Sequence, residues 1–148
     1  MATRTFELST RVPVAPATVI DFLADLAAHR GMHAYLVGAE VVDEGRDADG
    51  TWQDWRVTER PALGPFRYTI RFPARMRRRS ATELSGDVAA APGCRLVTET
   101  HATADGEGAV VTELTTVTAP VLLAGYMTKH ARIAHERTFS LLSRELAR

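Results

Sequence analysis

The strongest hydrophobic pattern in the chain lies at its C-terminal end. From Pro120 to Arg148 the sequence has no further proline and is dominated by helix-forming residues. A helix turns by about 100° per residue, and this places mainly small or apolar residues on one side. They are Ala124, Met127, Ala131, Ala134, Thr138, Leu142 and Leu146, with Leu123, Phe139 and Leu141 beside them. Charged residues such as Lys129 and Arg132 fall on the opposite side. The pattern predicts one long amphipathic helix that needs a partner surface.

Near the N-terminus the pattern changes from that of a strand to that of a helix. Thr5–Val12 alternates apolar and polar residues, which predicts a strand. Pro16 is well placed as the first residue of a helix, and helical spacing of apolar residues continues to Gly31. The spacing allows a break near Asp25 that would divide this segment into two short helices.

The middle of the chain reads as about six strands separated by turn residues. The predicted strands are Tyr35–Glu44, Thr51–Arg60, Phe66–Phe72, Ala81–Ala89, Arg95–Thr103 and Val110–Ala119. Phe66–Phe72 alternates most cleanly, which predicts that Tyr68 points inward, and Pro73 then predicts a bulge or edge. The inward faces of strands 95–103 and 110–119 stay open, because both faces mix Val, Thr and Glu and a one-residue shift exchanges them.

The order of elements defines a fold class. A strand, one or two short helices, antiparallel hairpins and a segregated long helix predict an α+β architecture. The length of 148 residues predicts a single domain, 1–148, with room for a core and a cavity.

Charge and composition limit the classes of partner and the cellular location that we expect for the chain. Eighteen basic and 18 acidic residues give zero formal net charge, so no global field favours nucleic acid. The single Cys94 cannot form an internal disulfide, which favours the cytoplasm. No signal-peptide pattern and no apolar run of about 20 residues occurs, so no membrane span is expected. Abundant Ala and Arg are typical of a bacterial genome of high GC content.

Several segments carry a resemblance to a known superfamily. They are the opening PVAPATVIDFLADL (13–26), the segment MHAYLVGAEVV (32–42), the limb TWQDWRVTER (51–60), FRYTIRF (66–72) and the closing helix. Together they resemble the START-like, or Bet v 1-like (SRPBCC), superfamily, and more narrowly its bacterial polyketide cyclase/dehydrase group. Ala34 stands where that group usually has proline. The resemblance implies a helix-grip fold: a curved antiparallel sheet of about seven strands wrapped around the C-terminal helix, with an elongated hydrophobic cavity between them.

That architecture predicts which residues would meet a ligand. The inward side of the helix would contribute Met127, Ala131, His135 and Thr138, and the sheet would contribute Tyr68 and Phe72. A mostly apolar cavity with a few polar groups suits a hydrophobic small molecule, such as a lipid, a polyketide or an isoprenoid. The simpler alternatives are a satisfied core histidine at position 135 and ordinary packing of the aromatic residues.

A second hypothesis is an enzyme, an aromatic polyketide cyclase or dehydrase. His135 or an inward Glu113 would be its acid/base residue. For Glu113, as for Glu99, His101 and Asp54, an outward, solvated position is the simpler expectation. The sequence leaves open whether the chain is an enzyme, and a titratable group inside the cavity would favour that hypothesis. A third alternative is an interaction module that binds a protein and has no cavity.

No metal site or cofactor is expected. His29 and His33 are four residues apart, but Gly31 lies between them. His130 and His135 point to different faces of a helix. The basic run 75–79 lacks interleaved aromatic residues, so it reads as a solvated strand edge. The expected partner is a small molecule, and the expected state is a monomer or homodimer.

Overall fold

The computed structural model describes residues 1–33, 35–91 and 93–147. Three residues used in the predictions lie outside the described residues. Ala34 stands where proline is usual, Pro92 belongs to a predicted turn, and Arg148 is the predicted end of the long helix. In chain order the elements are β1 (Ala2–Val12), α1 (Pro16–Ala24), a 3₁₀ helix (Leu26–Gly31), β2 (Leu36–Asp47), β3 (Gly50–Glu59), β4 (Ala62–Leu63), β5 (Phe66–Arg67), β6 (Ile70–Ser80), β7 (Glu83–Ala91), β8 (Cys94–Asp105), β9 (Gly108–Ala119) and α2 (Val121–Leu146).

Seven strands form one antiparallel sheet in the order β1-β9-β8-β7-β6-β3-β2. The short strands β4 and β5 pair separately as a two-stranded ribbon. The long helix α2 follows the last strand directly, with Pro120 as its N-cap. This arrangement confirms the predicted α+β fold of about seven strands with a long C-terminal helix.

The first helical segment is broken where the spacing allowed it. The α-helix ends at Ala24, and the 3₁₀ helix begins after Asp25. The Asp25 side chain accepts a hydrogen bond from the Ala27 backbone N–H at 3.1 Å, which satisfies a donor at the start of the second helix. The break turns the 3₁₀ helix toward β2, with which it makes contact.

The long helix lies on one side of the sheet rather than over its middle. It packs mainly against β1 and, to a lesser extent, β9. Ala124, Thr138, Phe139 and Leu142 are buried there, as the helical pattern predicts for three of them. Ala134, predicted to be inward, is exposed. The prediction is wrong because a wheel fixes the angle between residues, not the side of the helix that meets the sheet.

The prediction of one strand over Phe66–Phe72 is also wrong. The pairing of β3 with β6 ends at Glu59 and Ile70, so the chain before Ile70 extends beyond the sheet. There the Tyr68 backbone N–H donates to the Pro61 carbonyl at 3.2 Å. As a result Tyr68 is 48% exposed and Phe66 is 72% exposed, although their alternation predicts burial.

Pro73 lies at a local edge, as predicted. On one side it is opposite Arg56 of β3, but β6 pairs with β7 only from Ala74 onward. Pro73, which has no backbone N–H to donate, therefore lies at a position of β6 that does not pair with β7.

The faces of β8 and β9 are settled by their packing. On β9 the residues at odd positions from 109 to 119 point toward the helices, which places Glu113 on the inner face. The expectation that Glu113 is outward and solvated is therefore wrong. Glu99 and His101 of β8 are exposed, and Asp54 of β3 pairs with Arg75 on the outer face.

The inner face carries three hydrophobic clusters of buried residues among the described residues, and the partly buried Met76 packs against the first two. The first cluster joins α1 and the C-terminal half of α2 to β8 and β9, and includes Ile20, Val111 and Leu142. The second cluster contains Trp55, Val57 and Ala74 on β3 and β6. The third contains Cys94, Ala119 and Ala124 at the N-terminal end of α2.

Candidate functional site

The two residues considered for acid/base chemistry meet on the inner face. Glu113 comes from the middle of β9 and His135 from the middle of α2. His135 Nδ1 lies 2.6 Å from Glu113 Oε1, a hydrogen-bond distance. Their side chains are only 21% and 12% exposed, respectively. The sequence treats them as alternatives, whereas the structure makes them one pair.

Two threonines complete the surroundings of the Glu113 carboxyl group. The Thr115 hydroxyl donates to Oε1 and the Thr100 hydroxyl to Oε2, each at 3.3 Å. Burial by itself raises the pKa of Glu113, but the hydrogen bonds from His135, Thr115 and Thr100 and the charge of His135 outweigh it. The pKa therefore lies below its ordinary value, and Glu113 is a carboxylate at neutral pH.

The carboxylate fixes the tautomer of the imidazole. An ionised carboxylate only accepts hydrogen bonds, so Nδ1 of His135 must be the donor. The other nitrogen, Nε2, makes no hydrogen bond within the described residues, and in the neutral ring it carries the lone pair. The Phe6 ring contacts His135 at 84° with 5.7 Å between centroids, which helps to hold its orientation.

Two further histidines lie close enough to interact electrostatically with this pair. The His29 ring is stacked on His33 with 6.1 Å between centroids, and its Nε2 lies 2.9 Å from the Phe22 carbonyl oxygen. Burial lowers the pKa of His29. The pKa of His33 is lowered to about 4, chiefly by burial and then by the charges of His29 and His135. Both histidines are therefore neutral at pH 7. Among the described residues, no group of three or more His, Cys, Asp or Glu side chains is arranged to hold a metal ion.

Two cavities open beside the sheet. The larger, about 790 Å³, lies where β6 and β7 separate and is lined by Tyr68, Ile70, Phe72 and Cys94 among others. The smaller, about 530 Å³, is lined by residues that include Met76 and Leu84. Tyr68 and Phe72, predicted to bind a ligand, therefore line a cavity.

The predicted ligand residues on α2 lie elsewhere. Neither cavity lining includes a residue of α2. Met127, Ala131 and His135 are half-buried, whereas Thr138 is buried and donates its hydroxyl to the Ala134 carbonyl at 3.1 Å. Ligand binding by these four residues stays a prediction.

Two inner-face residues of β3 were not singled out as polar candidates from the sequence. The Trp55 indole Nε1 is buried without a hydrogen-bond partner in the described residues. Glu59 is half-buried, and burial raises its pKa. Both share a face with Val57, and the alternation of β3 could have indicated that a donor and a carboxyl group point inward together.

A seven-stranded antiparallel sheet holding a long C-terminal helix is the helix-grip fold, and solved structures share it. The Zhui aromatase/cyclase from Streptomyces sp. R1128 matches with a TM-score of 0.77 and 15% identity, over 99% of this chain and 95% of that one. TTHA0849 from Thermus thermophilus matches with a TM-score of 0.73 and 16% identity, over 97% of both chains. Ara h 8.0201 matches with a TM-score of 0.62 and 17% identity, over 95% of this chain and 98% of that one.

No family model and no curated protein sequence matches the chain. At the identities of the solved structures, the likeness establishes the helix-grip fold alone. No helix in the described residues is long and apolar enough to cross a lipid bilayer.

Proposed function

We propose that this protein binds a hydrophobic small molecule, such as a lipid, a polyketide or an isoprenoid, between the inner face of the sheet and α2. The observation that carries the proposal is the partly buried apolar surface at the second and third clusters. A domain of this size ordinarily has one contiguous core with smaller, well-covered satellite clusters. Here Phe72, Met76 and Val88 at the second cluster and Met127 at the third are only partly buried, so apolar surface remains for a ligand to cover.

The cavity at the β6–β7 separation supports binding of a small molecule on this sheet, at a place that α2 does not line. Its volume of about 790 Å³ is within the usual range for a ligand pocket. Binding would gain about 25 cal/mol for each Å² of apolar surface removed from water. One protein of the same fold is an aromatase/cyclase.

The test is binding of the fluorescent apolar dye Nile red by the purified chain. Ala131→Trp places a large side chain on the half-buried side of α2 and should abolish the fluorescence increase. Lys129→Trp adds the same side chain at an exposed position of the helix and should leave binding unchanged. Equal binding by both variants would contradict the proposed site, and native mass spectrometry of protein from its own host would identify a retained ligand.

A second candidate function is favoured by the buried His135–Glu113 pair. An apolar carrier has no need of a hydrogen-bonded histidine and glutamate in its interior, whereas proton transfer requires a titratable group there with a defined tautomer. We therefore propose as the alternative an aromatic polyketide cyclase or dehydrase activity, with His135 as the acid/base residue and Glu113 as the residue that positions it.

The chemistry of the pair suits an aldol closure followed by loss of water. Nε2 of His135 would take a proton from the carbon between two ketones, and the enolate carbon formed would attack a ketone carbon of the same chain. The Glu113 carboxylate stabilises the imidazolium at Nδ1. The imidazolium would return its proton to the alkoxide, and a second proton removal with protonation of the hydroxyl group would release water.

The test is aromatisation of a synthetic poly-β-ketone thioester, followed by ultraviolet absorbance. Glu113→Gln keeps the shape of the side chain but removes its charge, and we expect the rate to fall by about 100-fold or more. Glu99→Gln, on the outer face of β8, is the matched control and should keep the wild-type rate. A wild-type chain that binds Nile red but does not accelerate aromatisation would leave binding as the function and exclude this activity.

A further inference from the structure

The inner face of the sheet presents one buried donor without an acceptor. Trp55 is 5% exposed, and its indole Nε1–H has no hydrogen-bond partner within the described residues. Leaving such a donor unpaired costs free energy, and buried indole N–H groups usually have a partner. The other tryptophan, Trp52, lies on the outer face of the same strand, where the Arg75 guanidinium lies 4.2 Å from its ring centroid.

Trp55 lines neither cavity itself, but it belongs to a cluster whose partly buried members line both. It is packed in the second cluster with Phe72, which lines the larger cavity, and Met76, which lines the smaller one. Both neighbours are only partly buried, and a methionine side chain adapts its shape readily. Movement of either would bring a molecule in a cavity into contact with the indole ring.

The residues across the sheet from Trp55 form an apolar track toward α2. Strand pairing places Ala74, Val88, Leu96 and Val117 side by side with Trp55 on five neighbouring strands. A flat apolar molecule lying on this track would have the indole N–H at one end. A neutral acceptor suits this track, because its residues are apolar and offer no opposite charge to a buried anion.

We propose that the Trp55 Nε1–H donates a hydrogen bond to a neutral carbonyl oxygen of the ligand, so that the protein prefers flat aromatic ketones or quinones over the corresponding hydrocarbons. This inference rests on the proposed binding function and specifies the chemical class of its ligand. It assigns Trp55 as a specificity-determining residue, not as a catalytic one.

The experiment compares 9-fluorenone with fluorene, two tricyclic probes that differ only by the carbonyl group. The wild-type chain should bind fluorenone more tightly. Trp55→Phe, which keeps an aromatic ring but loses the donor, should weaken fluorenone binding about 3- to 10-fold and leave fluorene within twofold. Tyr126→Phe, at an exposed position of α2 that lines neither cavity, should change neither affinity. Thermal melting of each variant confirms that it is folded.

Nuclear magnetic resonance of the wild-type chain gives a test that does not depend on a variant. The indole ¹H–¹⁵N signal of Trp55 should move downfield with fluorenone and stay nearly unchanged with fluorene. Equal loss of both affinities in Trp55→Phe, or the same shift with both probes, would overturn this inference while leaving apolar binding intact. Failure of the wild-type chain to bind either probe would contradict the proposed function as well.

Discussion

The two halves of the inner face are covered very differently. In the closed half, α1 and the C-terminal part of α2 lie over β8 and β9, and Val19, Ile20, Val111 and Leu142 are completely buried. In the open half, formed by β2, β3 and β6, only Trp55, Val57 and Ala74 are buried, and their neighbours are partly exposed. The difference arises because α2 rests mainly on β1, at one edge of the sheet.

The His135–Glu113 pair lies between two of the hydrophobic clusters. Along α2, Ala124 belongs to the third cluster and Phe139 to the first, with His135 between them. The His135–Glu113 pair is therefore mostly buried and lies between these two clusters. We infer that stability resides in the closed half and that ligand binding belongs to the open half.

The largest expected effect is on stability, and it compares one substitution in each half. Leu142→Ala removes a completely buried side chain from the closed half and should lower the free energy of unfolding by about 3–5 kcal/mol. Leu36→Ala in the open half removes a partly buried one, and we expect a loss of about 1–2 kcal/mol. Urea denaturation measures both, and equal losses would contradict the division into halves.

The next effect is a loss of stability on acidification. The pKa of His33 is about 4 in the folded chain, against 6.5 for an ordinary histidine. Between these values the unfolded chain binds more protons, so stability falls as the pH falls, by roughly 3 kcal/mol in total. His33→Gln should flatten this part of the stability–pH curve.

The matched control for that prediction is His101→Gln. This histidine is exposed on the outer face of β8, and its replacement should leave the slope between pH 7 and pH 4 unchanged. A wild-type curve that is flat over this interval would show that His33 is not buried as described.

The smallest effect concerns the threonine beside the pair. Thr115→Val removes the hydroxyl donor to Glu113 Oε1 and should lower stability by about 1 kcal/mol. The pKa of Glu113 should rise, because its carboxylate loses one hydrogen bond. Titration of the Glu113 carboxyl carbon by nuclear magnetic resonance measures the shift, and Thr112→Val, which faces outward on the same strand, should leave it unchanged.

The fold was accessible from the sequence, whereas half of the candidate site was not. The long helix, the break at Asp25 and the local edge at Pro73 follow from patterns within single segments. Glu113 shows why the rest could not be predicted. Its face on β9 depends on the register of a neighbouring hairpin, and both faces of that strand have similar compositions. A cytoplasmic location and a monomeric or homodimeric state stay predictions.

By itself, the sequence determined the kinds and order of the elements, because helix and strand periodicities depend on residues close together in the chain. Tertiary structure alone decided that His135 meets Glu113, that Trp55 keeps an unpaired donor and that Ala134 is exposed. The first and third of these depend on where α2 lies on the sheet, and the second on how β3 packs against its neighbours; both are balances of contacts between residues far apart in the chain.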